Sequence, residues 1–211
     1  MASEEKWEGL PTIDLVKGAQ QGEQDARDAL FERYQGRVLK IVRIRLGARL
    51  RTSLESTDIL QEAAAEALKG LNRFEMRDES SFIRWLATIV EHQITARADY
   101  HQASKRSKSR EVPLQERVDT KMGESEINLA DDAVVTPFSD VMKTEEQDAV
   151  QDAIAELPEK YRELIVLRDY TGASWEDVAE AVGAKSPNAA RMMHSRAVAR
   201  LGKTLRERGV E

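Results

Sequence analysis

Between residues 111 and 152 the chain carries 3 Lys+Arg against 12 Asp+Glu, a balance of −9. The flanks are close to neutral: residues 1–110 hold 19 basic against 17 acidic side chains, and residues 153–211 hold 10 against 9. One segment therefore sets the net charge of −6. It also contains Pro113, Gly123 and Pro137 and lacks sustained helical periodicity, so it presents no apolar face to bury. A flexible acidic linker at that position forces the remainder into two separately folded pieces. The expected organisation is a domain over 1–110, a linker over 111–149 and a second domain over 150–211, which 211 residues can supply as two small cores.

Both pieces read as helix. Leu30, Phe31, Tyr34, Val38, Ile41, Val42, Ile44 and Leu46 recur at three- and four-residue steps, the pattern of an amphipathic helix. Arg37, Arg43, Arg45, Arg49 and Arg51 fall among them and read as surface charge making phosphate contacts of low specificity. A second helix is expected after Ser56 or Thr57, either of which suits its N-cap, with Asp58, Glu62 and Glu66 complementing its positive end. It runs through Ile59, Leu60, Ala63, Ala67 and Leu71 to a break at Gly70–Asn72. A third, starting near Ser80–Ser81, stacks Phe82, Trp85, Leu86, Ile89, Val90 and Ile94 on one side. Strict strand alternation is nowhere present, so the fold class is all-α.

In the C-terminal piece, Pro158 suits the first turn of a helix that Thr171-Gly172 ends. Ser174 followed by Asp177 resembles a capping box, and the short helix it opens stops at Gly183. Ser186 and Pro187 then start a helix carrying Arg191, Arg196, Arg200, Lys203 and Arg206. A short helix, a glycine turn and a basic helix form the pattern of a helix-turn-helix.

Several chemistries are excluded or unsupported. Without cysteine there are no disulfides, thiolate zinc sites or cysteine nucleophiles. His92, His101 and His194 are too far apart for a ligand motif, and no cofactor or metal is expected. No Gly-rich phosphate loop and no pairing of nucleophile with base point to an enzyme. No leader and no apolar run of membrane-spanning length is visible, so a cytoplasmic protein is expected.

The stretch Thr57-Asp58-Ile59-Leu60-Gln61-Glu62-Ala63 resembles the acidic-aliphatic-Gln-Glu signature of RNA polymerase sigma factors of the extracytoplasmic-function (ECF) type. Leu71-Asn72-Arg73-Phe74 and Ser81–Ile89 resemble the segment of that family that meets the −10 promoter element. Leu157–Asp169 resembles the start of its C-terminal domain, and Ser186–Met192 the opening of its −35 recognition helix. The similarity covers roughly residues 12–110 and 150–207 in matching order.

The resemblance implies a region 2 helical bundle and a region 4 helix-turn-helix. Its implied partners are the β′ clamp and β flap of bacterial core RNA polymerase, promoter DNA and an anti-sigma factor, with the free protein a monomer. Asp58, Leu60, Gln61 and Glu62 are the implied polymerase contacts. Asn72, Arg73, Phe74, Arg84, Trp85, Thr88, Gln93, Lys105 and Arg106 are the −10 candidates, forming a pocket and a cationic path for extruded bases. Ser186, Asn188, Arg191, Met192, Ser195, Arg196 and Arg200 are the −35 candidates.

Read from the residues alone, Phe82 and Trp85 fit a core face, Phe74 fits either core or stacking platform, and Asp58/Gln61/Glu62 fit a solvated helix face. Of Met192 and Met193, adjacent on one helix, one should be exposed. Departures from the family pattern are His92, Met193 with His194, the longer acidic linker, and an end soon after the last helix. The linker is read as a spacer, with shielding of the basic DNA faces as the minority view and Thr136-Pro137 as a turn or phosphorylation site. A stand-alone helix-turn-helix regulator is the alternative function.

Overall fold

The computed structural model describes residues 7, 9–110 and 145–209, with side chains at 7, 9–47, 50–100 and 148–209. The stretch 111–144, with Thr136-Pro137 and any shielding role of the linker, lies outside the described residues. So do the side chains of Lys105 and Arg106.

The described residues form helices without a strand. In chain order these are α1 (Thr12–Gln20), α2 (Gln24–Arg51), α3 (Ser56–Gly70), α4 (Ser81–Arg110), α5 (Glu145–Ala155), α6 (Glu159–Ile165), α7 (Trp175–Val182) and α8 (Pro187–Glu207). A 3₁₀ turn, Leu71–Arg73, links α3 towards α4, and a π turn, Val166–Tyr170, closes α6.

The apolar stripe read between Leu30 and Leu46 is the buried face of α2, whose Leu30, Ile41, Val42 and Ile44 have no exposed surface. Helix α1 is fastened to it by the buried Thr12 Oγ1–Tyr34 hydroxyl hydrogen bond of 2.9 Å. Near its end α2 breaks at Gly47, which takes φ 60° and ψ 170°, a conformation without steric cost only for glycine. Ala155 Cβ lies opposite this break, 3.8 Å from where a Gly47 side chain would begin.

Two caps differ from expectation. Neither Ser56 nor Thr57 caps α3; Ser56 is already helical, and Glu55 holds the extended cap position without a side-chain hydrogen bond. Pro158 likewise precedes α6 rather than sitting inside it, its carbonyl accepting from the Tyr161 and Arg162 N–H groups.

The two halves are not separate cores. One apolar cluster runs from Leu15, Leu30, Val42, Phe82 and Val90 into Ile154, Leu157, Ile165, Val166 and Ala197. A smaller cluster of Leu164, Ala173, Val178, Ala179, Val182 and Ala190 belongs to the C-terminal half alone. Helix α5 opens at Glu145, inside the stretch read as linker, and packs on α2.

This packing corrects the reading of Arg43, Arg45 and Arg51 as plain surface charge; Arg37 is exposed, and the side chain of Arg49 lies outside the described residues. Arg43 donates to Asp148 at 2.6 Å, and Arg51 pairs with Asp152. Arg45, with a side chain only 7% exposed, reaches Glu163 at 2.7 Å, Glu91 at 3.2 Å and the Ala87 carbonyl. Part of the acidity that marks the linker is thus the charge complement of α2.

Candidate functional site

On α3 the helical repeat turns Ile59, Leu60, Ala63 and Ala67 inward and leaves Asp58 and Gln61 exposed. Glu62 is half-buried and held by Arg97 of α4, whose Nε lies 3.0 Å from Oε2. Leu60, expected as a contact residue, is 5% exposed. Its side chain lines an apolar groove with Phe31, Tyr34 and Val38 of α2, Ala64 and Leu68 of α3, and Leu86 of α4. Leu68 stands at the groove edge, 43% exposed.

The turn after α3 presents Asn72 and Arg73 to solvent. Phe74 turns back instead of standing open. Its ring stacks on Trp85 with centroids 4.7 Å apart and planes at 25°, and meets Phe82 edge-on at 5.5 Å. Of the two readings of Phe74, core packing is the one seen. Trp85 sits half-buried in the same aromatic group, so neither ring is a free stacking platform. The turn is fixed from α1, where Gln20 Nε2 donates to the carbonyls of Leu71 at 3.0 Å and Phe74 at 2.8 Å.

Along α4, Arg84 is half-buried, Thr88 exposed and Gln93 half-buried. The Thr88 hydroxyl donates to the Arg84 carbonyl at 3.1 Å. Arg84 itself spans two carboxylates, Asp78 before α4 at 2.7 Å and Asp177 on α7 at 3.0 Å. For Asp78, partial desolvation opposes ionisation, but hydrogen bonds from Ser80, Arg84 and Ser81 outweigh it and lower its pKa from 3.8 to about 2. In the seam between the halves, burial and the adjacent Asp169 carboxylate push the Tyr170 phenol above its ordinary 10.

The C-terminal motif is built from local rules. Ser174 Oγ accepts from the Asp177 N–H at 3.1 Å, and Ser186 Oγ from the Ala189 N–H at 3.1 Å, so both serines cap their helices. Between them Gly183 is left-handed, and the Ala184 N–H bonds the Ala179 carbonyl while the Gly183 N–H bonds that of Glu180. This is a Schellman stop. It reverses the chain so that α7 and α8 pack together over Val178, Ala179, Val182 and Ala190.

On α8, Asn188, Arg191, Met192, Ser195, Arg196 and Arg200 are all exposed, at helical spacings that make one outward stripe. Ser186, at the head of that stripe, is committed to its cap. The adjacent methionines diverge: Met192 is 55% exposed, while Met193 packs on the smaller core.

Sequence reasoning missed Gln20 and Arg97, and read Asp177 only as part of a capping box. Their partners lie 54, 35 and 93 residues away, and no local pattern marks such contacts. Among the described residues no cluster of three or more His, Asp or Glu could hold a metal ion, and no helix is long and apolar enough to cross a membrane.

The family model of Sigma-70 region 2 matches residues 30–103, and that of Sigma-70, region 4 matches residues 147–201. The chain is 31% identical over 173 residues to the ECF RNA polymerase sigma-E factor of Haemophilus influenzae, covering 82% of this chain and 84% of that one. The chain belongs to the ECF RNA polymerase sigma factor family. This sigma factor is also 30% identical to the ECF RNA polymerase sigma-E factor of Escherichia coli K12 and 29% identical to the RNA polymerase sigma-H factor of Pseudomonas aeruginosa. Each alignment spans 165 residues, 78% of this chain and 79% of the relative. Among solved structures it is similar to the sigma factor RpoE crystallised with the anti-sigma factor NepR from Bartonella quintana. That match has a TM-score of 0.46 and 19% identity, and covers 83% of this sigma factor and 95% of the other chain. Helices α2 to α4 of the sigma factor thus contain its region 2, and α5 to α8 its region 4.

Proposed function

We propose that this sigma factor docks on core polymerase through the exposed side of α3, holds the −10 element along the turn after α3 and the outer face of α4, and reads the −35 duplex with α8. The observation that carries this reading is the α8 stripe, raised on a capped helix-turn-helix. Its amide, hydroxyl and guanidinium groups near the helix start suit base edges, and its later arginines suit phosphates. On α3, Asp58 and Gln61 offer directional acceptors to a basic partner helix, and the adjoining groove offers apolar area at the same surface. On the −10 side, Asn72 and Arg73 project from the turn, with Thr88 further along the strand path and Arg84 beside it. The role assigned here is recognition and strand capture in the cytoplasm, without covalent chemistry.

The test is binding to bacterial core RNA polymerase by gel filtration, comparing wild type with Asp58→Arg/Gln61→Ala. This pair leaves the Glu62–Arg97 contact in place, so loss of binding reports the surface and not a disturbed fold. Stoichiometric wild-type binding, lost in the variant at unchanged helicity, is the expected outcome. A folded wild type that fails to bind core overturns the assignment.

A further inference from the structure

Where the π turn, α7 and α8 meet, Trp175 gathers two guanidinium groups and an imidazole. Arg168 Cζ lies 4.7 Å from the indole centroid and Arg191 Cζ 5.6 Å from it. The His194 ring meets the indole edge-on, at 5.5 Å and 77°. His194 in turn sets Nε2 2.9 and 3.1 Å from the two oxygens of Asp169. Arg168 is fixed independently, donating to the Ala173 carbonyl at 2.7 Å.

These contacts form a chain from the turn that precedes the helix-turn-helix to the exposed face of α8. Asp169 fixes the imidazole, the imidazole packs on the indole in a T-shaped contact, and the indole face carries Arg191. The last link matters because an exposed arginine on a helix samples many rotamers, and ordering it on DNA is opposed by that entropy. A ring that already holds the guanidinium removes part of the cost. Arg191 stands one turn beyond the Ser186 cap, among the recognition-helix residues that reach base edges, where a guanidinium suits the two acceptors of guanine.

We propose that His194, held by Asp169, is a positioning residue for promoter readout: it seats Trp175, whose ring pre-orients Arg191 towards one base pair of the −35 element. The proposal rests on the −35 reading of α8. His194 touches no DNA; it acts through Trp175 on Arg191.

The test is selection from a randomised double-stranded DNA pool by holoenzyme reconstituted from the full chain and bacterial core polymerase, followed by sequencing of bound duplexes. Wild type, Arg191→Ala, His194→Leu, His194→Gln and Asp169→Asn are compared, with circular dichroism as the fold check. Arg191→Ala is expected to erase the preference at one base-pair position. His194→Leu is expected to weaken preference at that same position by about three- to fivefold, the scale of one exposed cation–π contact, with the other positions unchanged. His194→Gln, whose amide can still donate to Asp169, should recover most of it. Asp169→Asn, an exposed and conservative change, should weaken the same position even if His194→Leu fails to fold. Equal loss at every position, or no change at any, in the folded variants overturns the proposal. A wild-type holoenzyme that enriches no sequence upstream of its −10 element overturns the −35 reading itself and this proposal with it.

Discussion

Arg84 of α4 and Asp177 of α7 form a 3.0 Å ion pair across the two halves of the chain. The same guanidinium holds Asp78, 2.7 Å away, so one cation ties the turn before its own helix to the first turn of the helix-turn-helix. A carboxylate of region 4 therefore occupies, in the free chain, a cation proposed to serve nucleic acid.

Asp177→Asn should raise the affinity of the free chain for a single-stranded oligonucleotide at low salt, with the difference closing as salt screens the pair. The stability cost should stay below about 1 kcal/mol, because Asp177 is half exposed. Fluorescence anisotropy over a salt series measures it. Unchanged affinity would place Arg84 off the strand path.

Arg45 is the more deeply set bridge, with two carboxylate partners and a carbonyl. Arg45→Ala should cost about 1–3 kcal/mol, less than a fully buried pair because Glu91 and Glu163 keep access to water. Glu163→Gln should cost less than half as much. Urea denaturation followed by circular dichroism gives both values, and equal losses would mean that Arg45 acts through Glu163 alone.

Asp78 makes the turn before α4 sensitive to acid. Its folded pKa of about 2 lies below the ordinary 3.8, so its stabilising contribution is full above 3.8 and is lost as pH falls through about 2. Asp78→Asn should flatten that part of the stability profile and leave the neutral-to-alkaline side shaped as in wild type. Carboxyl NMR titration of the wild type should find the Asp78 midpoint near 2.

Gly183 has φ 66°, and nothing within 4 Å would meet a side chain there. Gly183→Ala should therefore cost about 1–2 kcal/mol through backbone strain alone. Gly183→Asn should cost roughly half as much, since asparagine tolerates the left-handed region. Thermal melts of the two variants separate strain from crowding, which would penalise asparagine more.

What the sequence disclosed follows the range of the forces involved. Ser174, Gly183 and Ser186 act within a few residues, so the helix-turn-helix was legible from spacing alone. The α2 and α4 faces were legible because every third or fourth side chain repeats the same choice. The α5–α2 seam was hidden. Asp148 and Asp152 sit four residues apart on one helix face, but their complement on Arg43 and Arg51 lies 105 and 101 residues away, and an acidic run without visible partners reads as a solvated tether. The burial of Leu60 and the packing of Phe74 on Trp85 were not legible for a related reason. Motif membership marks a segment, while the direction of each side chain depends on neighbours supplied by other helices.

Gln20 gives helix α1 a part in shaping the turn proposed for promoter contact, which its position would not suggest. Its amide holds two carbonyls of the turn bearing Asn72 and Arg73, yet it lies ten residues ahead of the matched region 2. A fragment trimmed to residue 30 would keep every candidate contact residue of region 2 and lose the splint that shapes their loop. Truncation would then separate possession of the −10 residues from the ability to present them.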